Sequence, residues 1–149
     1  MAENEYWMRY ALKLANYALQ VGEVPVGAVL VRSNQIIGEG WNCSINSHDP
    51  TGHAEILALR RAGIALKNYR LLNTTLYVTL EPCIMCVGAI VHSRIKHLVF
   101  GANDHTFGTS SVLLKKTFFN HQVKITGNIL NVDCANLLKN FFKNRRNKQ

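Results

Sequence analysis

Two stretches of the chain share one layout, and that layout restricts the fold more than any other feature of the sequence. In the first, the strand-like "IIGEGWN" (36–42) is followed by a polar loop and then by the helical period of "HAEILALRRAGIAL" (53–66). In the second, "TLYVTL" (75–80) leads through "EP" into "CIMCVGAIVHS" (83–93), which we predict to be a short helix. A helix that follows a central strand begins at the sheet edge where that strand ends. If the two strands are parallel, residues 53 and 83 are expected at the same edge.

Helices and strands alternate along the rest of the chain as well. The hydrophobic period predicts a first helix over 4–20 with Asn4 as its cap, and a helix over 131–148. Runs of apolar residues predict strands over 23–31 and 97–102 and a short strand over 121–127. The strand over 23–31 is expected to form a hairpin with 36–42. This order predicts an α/β fold in which helices cover both faces of a sheet.

Length and composition favour one globular domain. The chain has 149 residues, 48% of them hydrophobic, and contains neither a repeat nor a long linker. Its start, "MAENEYW", has no basic and apolar leader pattern, and its longest apolar runs are far short of the ~20 residues that span a bilayer. We therefore expect a cytoplasmic protein without a disulfide framework, in which Cys43 and Cys134 are small buried apolar residues.

The chain is strongly basic, with 17 Lys and Arg against 9 Asp and Glu, a formal net charge of +8. An excess of this size favours polyanions such as nucleic acids. A basic surface that only contacts solvent is equally compatible with this net charge, so charge alone leaves both interpretations open.

The cysteine pair in "PCIMC" offers the first candidate site. Cys83 and Cys86 are three residues apart at the start of a helix, so their sulfurs share one face. The positive end of the helix favours thiolates, which are the form that binds metal. On the pair alone, a metal site, a redox pair and an inert packing role all remain possible.

His53 and Glu55, 30 residues upstream of Cys83, favour a metal. A zinc ion held by one imidazole and two thiolates keeps a fourth position for water, which is the pattern of catalytic zinc sites. Glu55 is too close to His53 to share the ion comfortably, but it is well placed to act on the water as a general acid and base. The alternative for Glu55 is a surface residue that complements the helix dipole.

H-x-E followed by P-C-x-x-C is the pattern of the zinc-dependent deaminases. Further stretches, including "EVPVGAVLV", "HDPTGHAEI", "NYRLLNTTLYVTLEPCIMC" and "VFGANDHTFG", make nearly the whole chain resemble the bacterial tRNA-specific adenosine deaminases. The resemblance implies a three-layer α/β/α cytidine deaminase-like fold around a mixed five-stranded sheet. It also implies one deaminase domain over 1–149, with a core over about 2–115 and a basic C-terminal helix over about 131–146.

The same resemblance implies a reaction. Members of the family that the chain resembles form homodimers and convert the adenosine at the wobble position (34) of an arginine tRNA with anticodon ACG to inosine. His53, Cys83 and Cys86 correspond to the ligands of one zinc ion per subunit, and Glu55 to the residue that carries protons from the zinc-activated water to the base. An organic cofactor and a membrane are not implied.

Five further residues are implied to bind the tRNA substrate. Asn42 resembles an amide that contacts the base or ribose, although Asn is also a common turn residue. Asp104 resembles a residue that contacts neighbouring nucleotides, although it could equally be a solvated loop acid. Phe142, Arg145 and Arg146, with Lys139 and Lys143 nearby, fit an RNA-binding C-terminal helix, since cations contact phosphates and aromatic rings stack on bases.

Two departures from the family pattern concern loops that are expected near RNA. Gly22 stands where family members often carry a larger or charged residue, and the stretch 115–122 is shorter than its counterpart in many relatives. These departures leave the catalytic residues unchanged and affect only the details of loop recognition.

Two other functions are compatible with the motif. One is a zinc deaminase of a free base or nucleoside, such as guanine or cytosine, which would not require the basic C-terminal helix. The other is a non-catalytic RNA-binding module in which zinc is structural, and such a site has no use for Glu55.

Overall fold

We describe the protein from a computed structural model, which covers residues 2–109 and 121–147. Five strands form one sheet in the order β2-β1-β3-β4-β5. In chain order the elements are α1 (Ala2–Gln20), β1 (Gly27–Arg32), β2 (Gln35–Trp41), α2 (Ala54–Leu66), β3 (Thr75–Leu80), α3 (Ile84–His92), β4 (His97–Ala102), β5 (Lys124–Thr126) and α4 (Asn131–Asn147). In the described part of the chain, none of the helices has the length and apolar character of a membrane span.

The strand directions bring the two predicted half-sites together. β1 is antiparallel to both β2 and β3, so β2 and β3 point the same way on either side of it. β4 and β5 then continue in parallel with β3. Since α2 follows β2 and α3 follows β3, both helices begin at one edge of the sheet. The two strands that precede these helices therefore run in the same direction, which is the condition for residues 53 and 83 to lie at one edge. The expected mixed five-stranded sheet is confirmed.

The two faces of the sheet are covered by different helices. Along β1, Ala28 and Leu30 belong to the core beneath α2 and α3, whereas Val29 and Val31 belong to the core beneath α1. The alternation follows from the period of two in a strand. The first turn of α4 packs beside α1, because Cys134 lies in the same core as Val29. The fold is thus three layers, α/β/α, as the resemblance implied.

Glycines in β2 let α2 lie close to the sheet. A Cβ atom on Gly38 would sit 2.3 Å from the carbonyl oxygen of Ala58, and one on Gly40 would sit 2.7 Å from that of Ala54. Real Cβ atoms do not approach backbone oxygens so closely, so larger residues here would push the helix away. Because Ala54 is the first residue of α2, this contact fixes where the helix begins.

Several predicted boundaries are wrong by a few residues, for local reasons. Asn4 lies inside α1 rather than at its start, and its Oδ1 accepts a hydrogen bond from the hydroxyl of Tyr77 at 3.3 Å. β1 begins at Gly27 instead of residue 23, since Pro25 has no N–H to donate to a neighbouring strand. Cys43 is half-exposed and not buried, whereas Cys134 is buried as expected.

Gly22 ends the first helix. Its φ of 81° lies in the left-handed region, and the N–H of Glu23 reaches back to the carbonyl of Ala18 at 3.0 Å. A Cβ atom at this position would meet nothing within 4 Å. The glycine is therefore required by backbone conformation and not by crowding. The other departure from the family pattern is the short stretch 115–122. Its residues 115–120 lie outside the described part of the chain.

Candidate active site

Three potential metal ligands converge where α2 and α3 begin. His53 occupies the N-cap position of α2, Cys83 occupies that of α3, and Cys86 lies in the first turn of α3. The Nδ1 atom of His53 is 3.6 Å from the Sγ atom of Cys83 and 3.5 Å from that of Cys86. The ligand atoms of the three residues all lie within 4.8 Å of one another. Residues separated by 30 positions therefore form one cluster.

These distances fit a zinc ion. Zn–N bonds of about 2.0–2.1 Å and Zn–S bonds of about 2.3 Å at a tetrahedral angle place N and S about 3.6 Å apart. Both measured N···S separations agree with this value, and one imidazole with two sulfurs is a donor set that zinc prefers. A redox pair needs only the two sulfurs, so the equidistant imidazole favours the metal site among the three alternatives for the CxxC pair.

The electrostatics of the site favour the thiolate on Cys83 and the protonated thiol on Cys86. The hydrogen bond from the Cys86 thiol, followed by the one from His53, lowers the pKa of Cys83 to about 3. The same bond to Cys83, together with burial, raises the pKa of Cys86. The pair thus keeps one proton, on Cys86, and metal binding would release it because ligating sulfurs are thiolates.

Glu55 is enclosed beside this cluster. Its side chain is only 4% exposed, and burial raises the pKa of its carboxyl group above the usual range. A surface residue that complements the helix dipole would be open to solvent, so that alternative is wrong. A carboxyl group with a raised pKa holds a proton more readily than an exposed one, which suits a general acid and base.

A pocket of about 290 Å³ opens onto the cluster and contains the predicted residues Asn42 and Asp104. Apolar side chains of Val24, Val26 and Leu80 form part of its wall. Its remaining described lining residues are His53, Glu55, Glu81, Cys83 and Phe107. A pocket with apolar walls and a few convergent polar groups is the usual form of a small-molecule or base-binding site.

Asn42 has a structural role at the start of α2 and also lines the pocket. Its Oδ1 atom accepts a hydrogen bond from the N–H of Ala54 at 2.9 Å, which satisfies a free donor at the start of α2. The amide is thereby held in one orientation while it lines the pocket. Its NH₂ group is the part of the side chain suited to bind a ligand.

Asp104 organises the loop that follows β4. Its Oδ1 atom accepts hydrogen bonds from the N–H groups of Thr106 at 3.1 Å and Phe107 at 3.0 Å. Its own N–H donates to the Oε1 atom of Glu81 at 3.1 Å. The residue therefore lines the pocket and also shapes it, so it is more than a solvated loop acid.

Comparison with known proteins identifies the family. The model of the MafB19-like deaminases matches residues 2–146. A tRNA-specific adenosine deaminase of Buchnera aphidicola subsp. Schizaphis graminum is 56% identical over 96% of each chain, and one of Haemophilus influenzae is 53% identical over 98% of this chain and 87% of its own. This chain belongs to the tRNA-specific adenosine deaminase family. A solved structure from work on A-to-I editing by tRNA:A34 deaminases at the wobble position of transfer RNA superimposes with a TM-score of 0.85 at 36% identity, covering 89% of this chain and 99% of its own.

As far as its lining is described, the deaminase pocket does not include the residues predicted on the C-terminal helix. Phe142, Arg145 and Arg146 line a separate surface groove of about 490 Å³ on the last turns of α4. Leu138 and Lys139 complete its described lining. Phe142 is 46% exposed, so it is available for contact, and the neighbouring Phe141 is half-buried. The structure thus separates the predicted substrate residues into two places.

Three residues near the deaminase pocket were not predicted to have a role. Glu81 and Phe107 line the pocket itself. Glu23 is buried, and its carboxylate accepts hydrogen bonds from the N–H groups of Ile45 at 3.2 Å and Asn46 at 2.7 Å, which ties down the loop between β2 and α2. The only sequence signal for Glu23 and Glu81 is an acidic residue beside an apolar run, which is too common to identify a role.

Proposed function

We propose that the protein catalyses the hydrolytic deamination of adenosine to inosine at the wobble position (34) of tRNA, with the ACG anticodon of an arginine tRNA as its substrate. The observation that carries the proposal is the cluster of His53, Cys83 and Cys86 beside the buried Glu55. The family gives the substrate class. The pocket of about 290 Å³ beside the cluster has room for a base and supports this place of reaction.

The metal of the proposal is one zinc ion per subunit, held by the Nδ1 atom of His53 and the thiolates of Cys83 and Cys86. Zinc, when bound, supplies Lewis-acid activation of water at neutral pH. The hydrogen bond from the N–H of Ala54 to the side-chain oxygen of Asn42 supports the position of His53, because it fixes the residue that follows His53.

Glu55 carries the protons in this mechanism. The reaction adds water to C6 of adenine and releases ammonia, so two protons must move from the water to nitrogen atoms. The Glu55 carboxylate accepts a proton from the attacking water, delivers it to N1, and then transfers the second proton to the leaving amino group. Its burial supports this role, since the raised pKa brings its two protonation states closer in energy.

Binding of the RNA is assigned to a second surface. A base must be unstacked to enter the pocket, and the bases of an anticodon loop are already accessible. Arg145 and Arg146 are exposed at the end of α4, where they are able to contact phosphates, and Phe142 offers a ring for stacking. This use of the basic helix favours a tRNA over a free base as substrate.

The test is incubation of the zinc-loaded protein with an anticodon stem-loop that contains ACG, followed by sequencing for inosine at the first anticodon position. Free adenosine, cytidine and guanine are assayed in parallel at the same concentration. We expect inosine in the stem-loop and no comparable turnover of the free compounds. Turnover of guanine or cytidine with an unchanged stem-loop would support the small-substrate enzyme instead.

We also propose that the protein acts as a homodimer. Most of the apolar side of α3, including Val87, Ile90 and Val91, packs in the protein's own core, so little of that side is left for a partner. On the α2–α3 side, however, Ile64 is 78% and Ile84 is 61% exposed. Equilibrium sedimentation tests the proposal, because a species of only 16.8 kDa at working concentration would reject it.

A further inference from the structure

Phe107 is an exposed aromatic residue at the mouth of the catalytic pocket. Its side chain is 69% exposed, yet it lines the same cavity as His53, Glu55 and Cys83. Among the described residues, the other large apolar side chains that are at least this exposed, Ile64, Tyr69 and Val132, are absent from the lining of the cavity. An exposed ring that is part of the substrate cavity has a surface available for the substrate itself.

The loop that carries Phe107 is tightly built. The N–H of Phe107 and the N–H of Thr106 both donate to the Oδ1 atom of Asp104, and the N–H of Gly108 donates to the Asp104 carbonyl at 2.9 Å. A Cβ atom at Gly108 would lie 2.4 Å from that carbonyl oxygen and 2.4 Å from the Oε1 atom of Glu81. The ring is therefore presented by a defined turn.

The charges around Phe107 select the part of a nucleotide that can bind there. Its neighbours on the pocket wall, Glu81 and Asp104, are both acidic, and none of the described residues that line the pocket is Lys or Arg. Carboxylates repel a phosphate, whereas the face of a nucleobase is neutral and stacks on an aromatic ring. A base, and not the backbone, is the chemical partner that this wall fits.

We propose that Phe107 stacks on a nucleobase that flanks the target adenosine, and so positions the RNA strand over the pocket. The inference rests on the proposed tRNA substrate, and it adds a positioning residue that acts on the neighbour of the reacting base. The target adenosine enters the pocket, and the adjacent base, which no longer stacks on the adenosine, stacks on the ring of Phe107 instead.

The first test compares three substitutions on the ACG stem-loop. Phe107→Ala should raise KM by about 5- to 150-fold, the usual range for removal of one base–aromatic stack, while kcat at saturating RNA stays near the wild-type value. Phe107→Tyr should restore KM, because it keeps the aromatic face. Phe107→Leu should not, although it keeps most of the apolar area. A wild-type KM for the Leu variant would overturn the stacking role.

The second test removes the partner instead of the ring. Stem-loops with an abasic nucleotide directly 5′ or directly 3′ of the target are assayed with the wild type and with Phe107→Ala. At the stacked position the abasic change should raise the wild-type KM as much as the Ala substitution does, and it should add nothing in the Ala variant. Fully additive losses at both positions would contradict the proposal.

A binding measurement separates this inference from the proposed function. 2-Aminopurine placed at the stacked position should change its fluorescence on binding to the wild type, and much less on binding to Phe107→Ala. If the wild type does not deaminate the stem-loop, the proposed function fails. If it does, and Phe107→Ala has an unchanged KM and the same fluorescence response, only the stacking role fails.

Discussion

The catalytic pocket and the end of α4 are built on opposite principles. The pocket takes its walls from several separate parts of the fold, namely the loop before β1, the ends of β2 and β3, the starts of α2 and α3, and the loop after β4. The groove on α4 is lined, as far as the chain is described, by residues of one helix. The pocket carries three carboxyl groups, whereas the groove carries two arginines and a lysine.

The difference shows what each task requires. Chemistry at one atom needs groups fixed relative to one another, which only several packed elements provide. Attraction of a polyanion needs positive charge within reach, and a single exposed helix end is sufficient. We therefore expect substitutions of the metal-ligand cluster and of the buried Glu55 to act on kcat and metal content, and substitutions on α4 to act on RNA affinity alone. The exposed Phe107 at the mouth of the pocket is the exception, since its expected effect is on KM.

The largest effect is expected for Cys86→Ser. Loss of one ligand should lower zinc affinity by more than about 100-fold, since changes to groups merely behind the ligands already cost 10–100-fold, and deamination should fall below detection. Zinc content is measured by atomic emission after dialysis. Cys43→Ser is the matched control, because Cys43 is absent from the described lining of the pocket and should keep metal and activity.

Glu55→Gln tests the proposed proton transfer in the pocket without removing a metal ligand. It should lower kcat by about 10²–10⁴-fold, the usual contribution of a general acid and base, while zinc content and the Kd for the stem-loop remain at wild-type values. Single-turnover kinetics and a binding titration measure the two quantities separately. A native kcat would show that the proton carrier has been assigned wrongly.

Gly40→Ala tests whether the pocket depends on backbone packing. Its Cβ atom would lie 2.7 Å from the carbonyl oxygen of Ala54, so α2 must shift and the free energy of unfolding should fall by about 1–3 kcal/mol, with a loss of kcat. Urea unfolding measures the change. Gly88→Ala, on α3, is the control, since its Cβ atom meets nothing within 4 Å and should leave stability unchanged or slightly raised.

The smallest effect on turnover is expected for Arg145→Gln combined with Arg146→Gln. RNA binding should weaken, and the slope of log K against log salt should decrease by roughly 0.7–0.9 for each phosphate that is no longer neutralised, while kcat and the unfolding free energy stay unchanged. Arg9→Gln with Lys13→Gln removes the same charge from α1 as a control. An equal loss of affinity in the control would show that net charge, and not the α4 surface, binds the RNA.

The sequence predicted which residues come together at the candidate metal site, because the elements that carry them obey short-range rules. Helical and strand periods located α2, α3 and the strands before them, and the spacing of H-x-E and P-C-x-x-C indicated the ligands. That the two helix starts meet depends on β2 and β3 running in the same direction, which no local pattern determines. The sequence could state this only as a condition.

What the sequence did not predict depends on contacts between distant residues. Glu23 looks like an ordinary surface acid, yet it is buried because its carboxylate binds N–H groups more than 20 positions away. Likewise, the pairing of Glu81 with the N–H of Asp104 places Phe107 at the pocket only after β3 and β4 are aligned. Residue type and spacing contain no information about such pairs.

The single strand β1 lies between β2 and β3, and this sets a dimension of the reaction centre. β2 and β3, the strands that lead into α2 and α3, are two inter-strand spacings apart, about 9–10 Å. The segments that follow them, with the side chains of His53, Cys83 and Cys86, close this gap to 3.5–3.6 Å between nitrogen and sulfur. Loops and outer helices are free to diverge among relatives without altering that gap. An added or deleted strand at this place would change the distance between β2 and β3 and separate the ligands. The position of β1 between them therefore determines whether the ligands can meet.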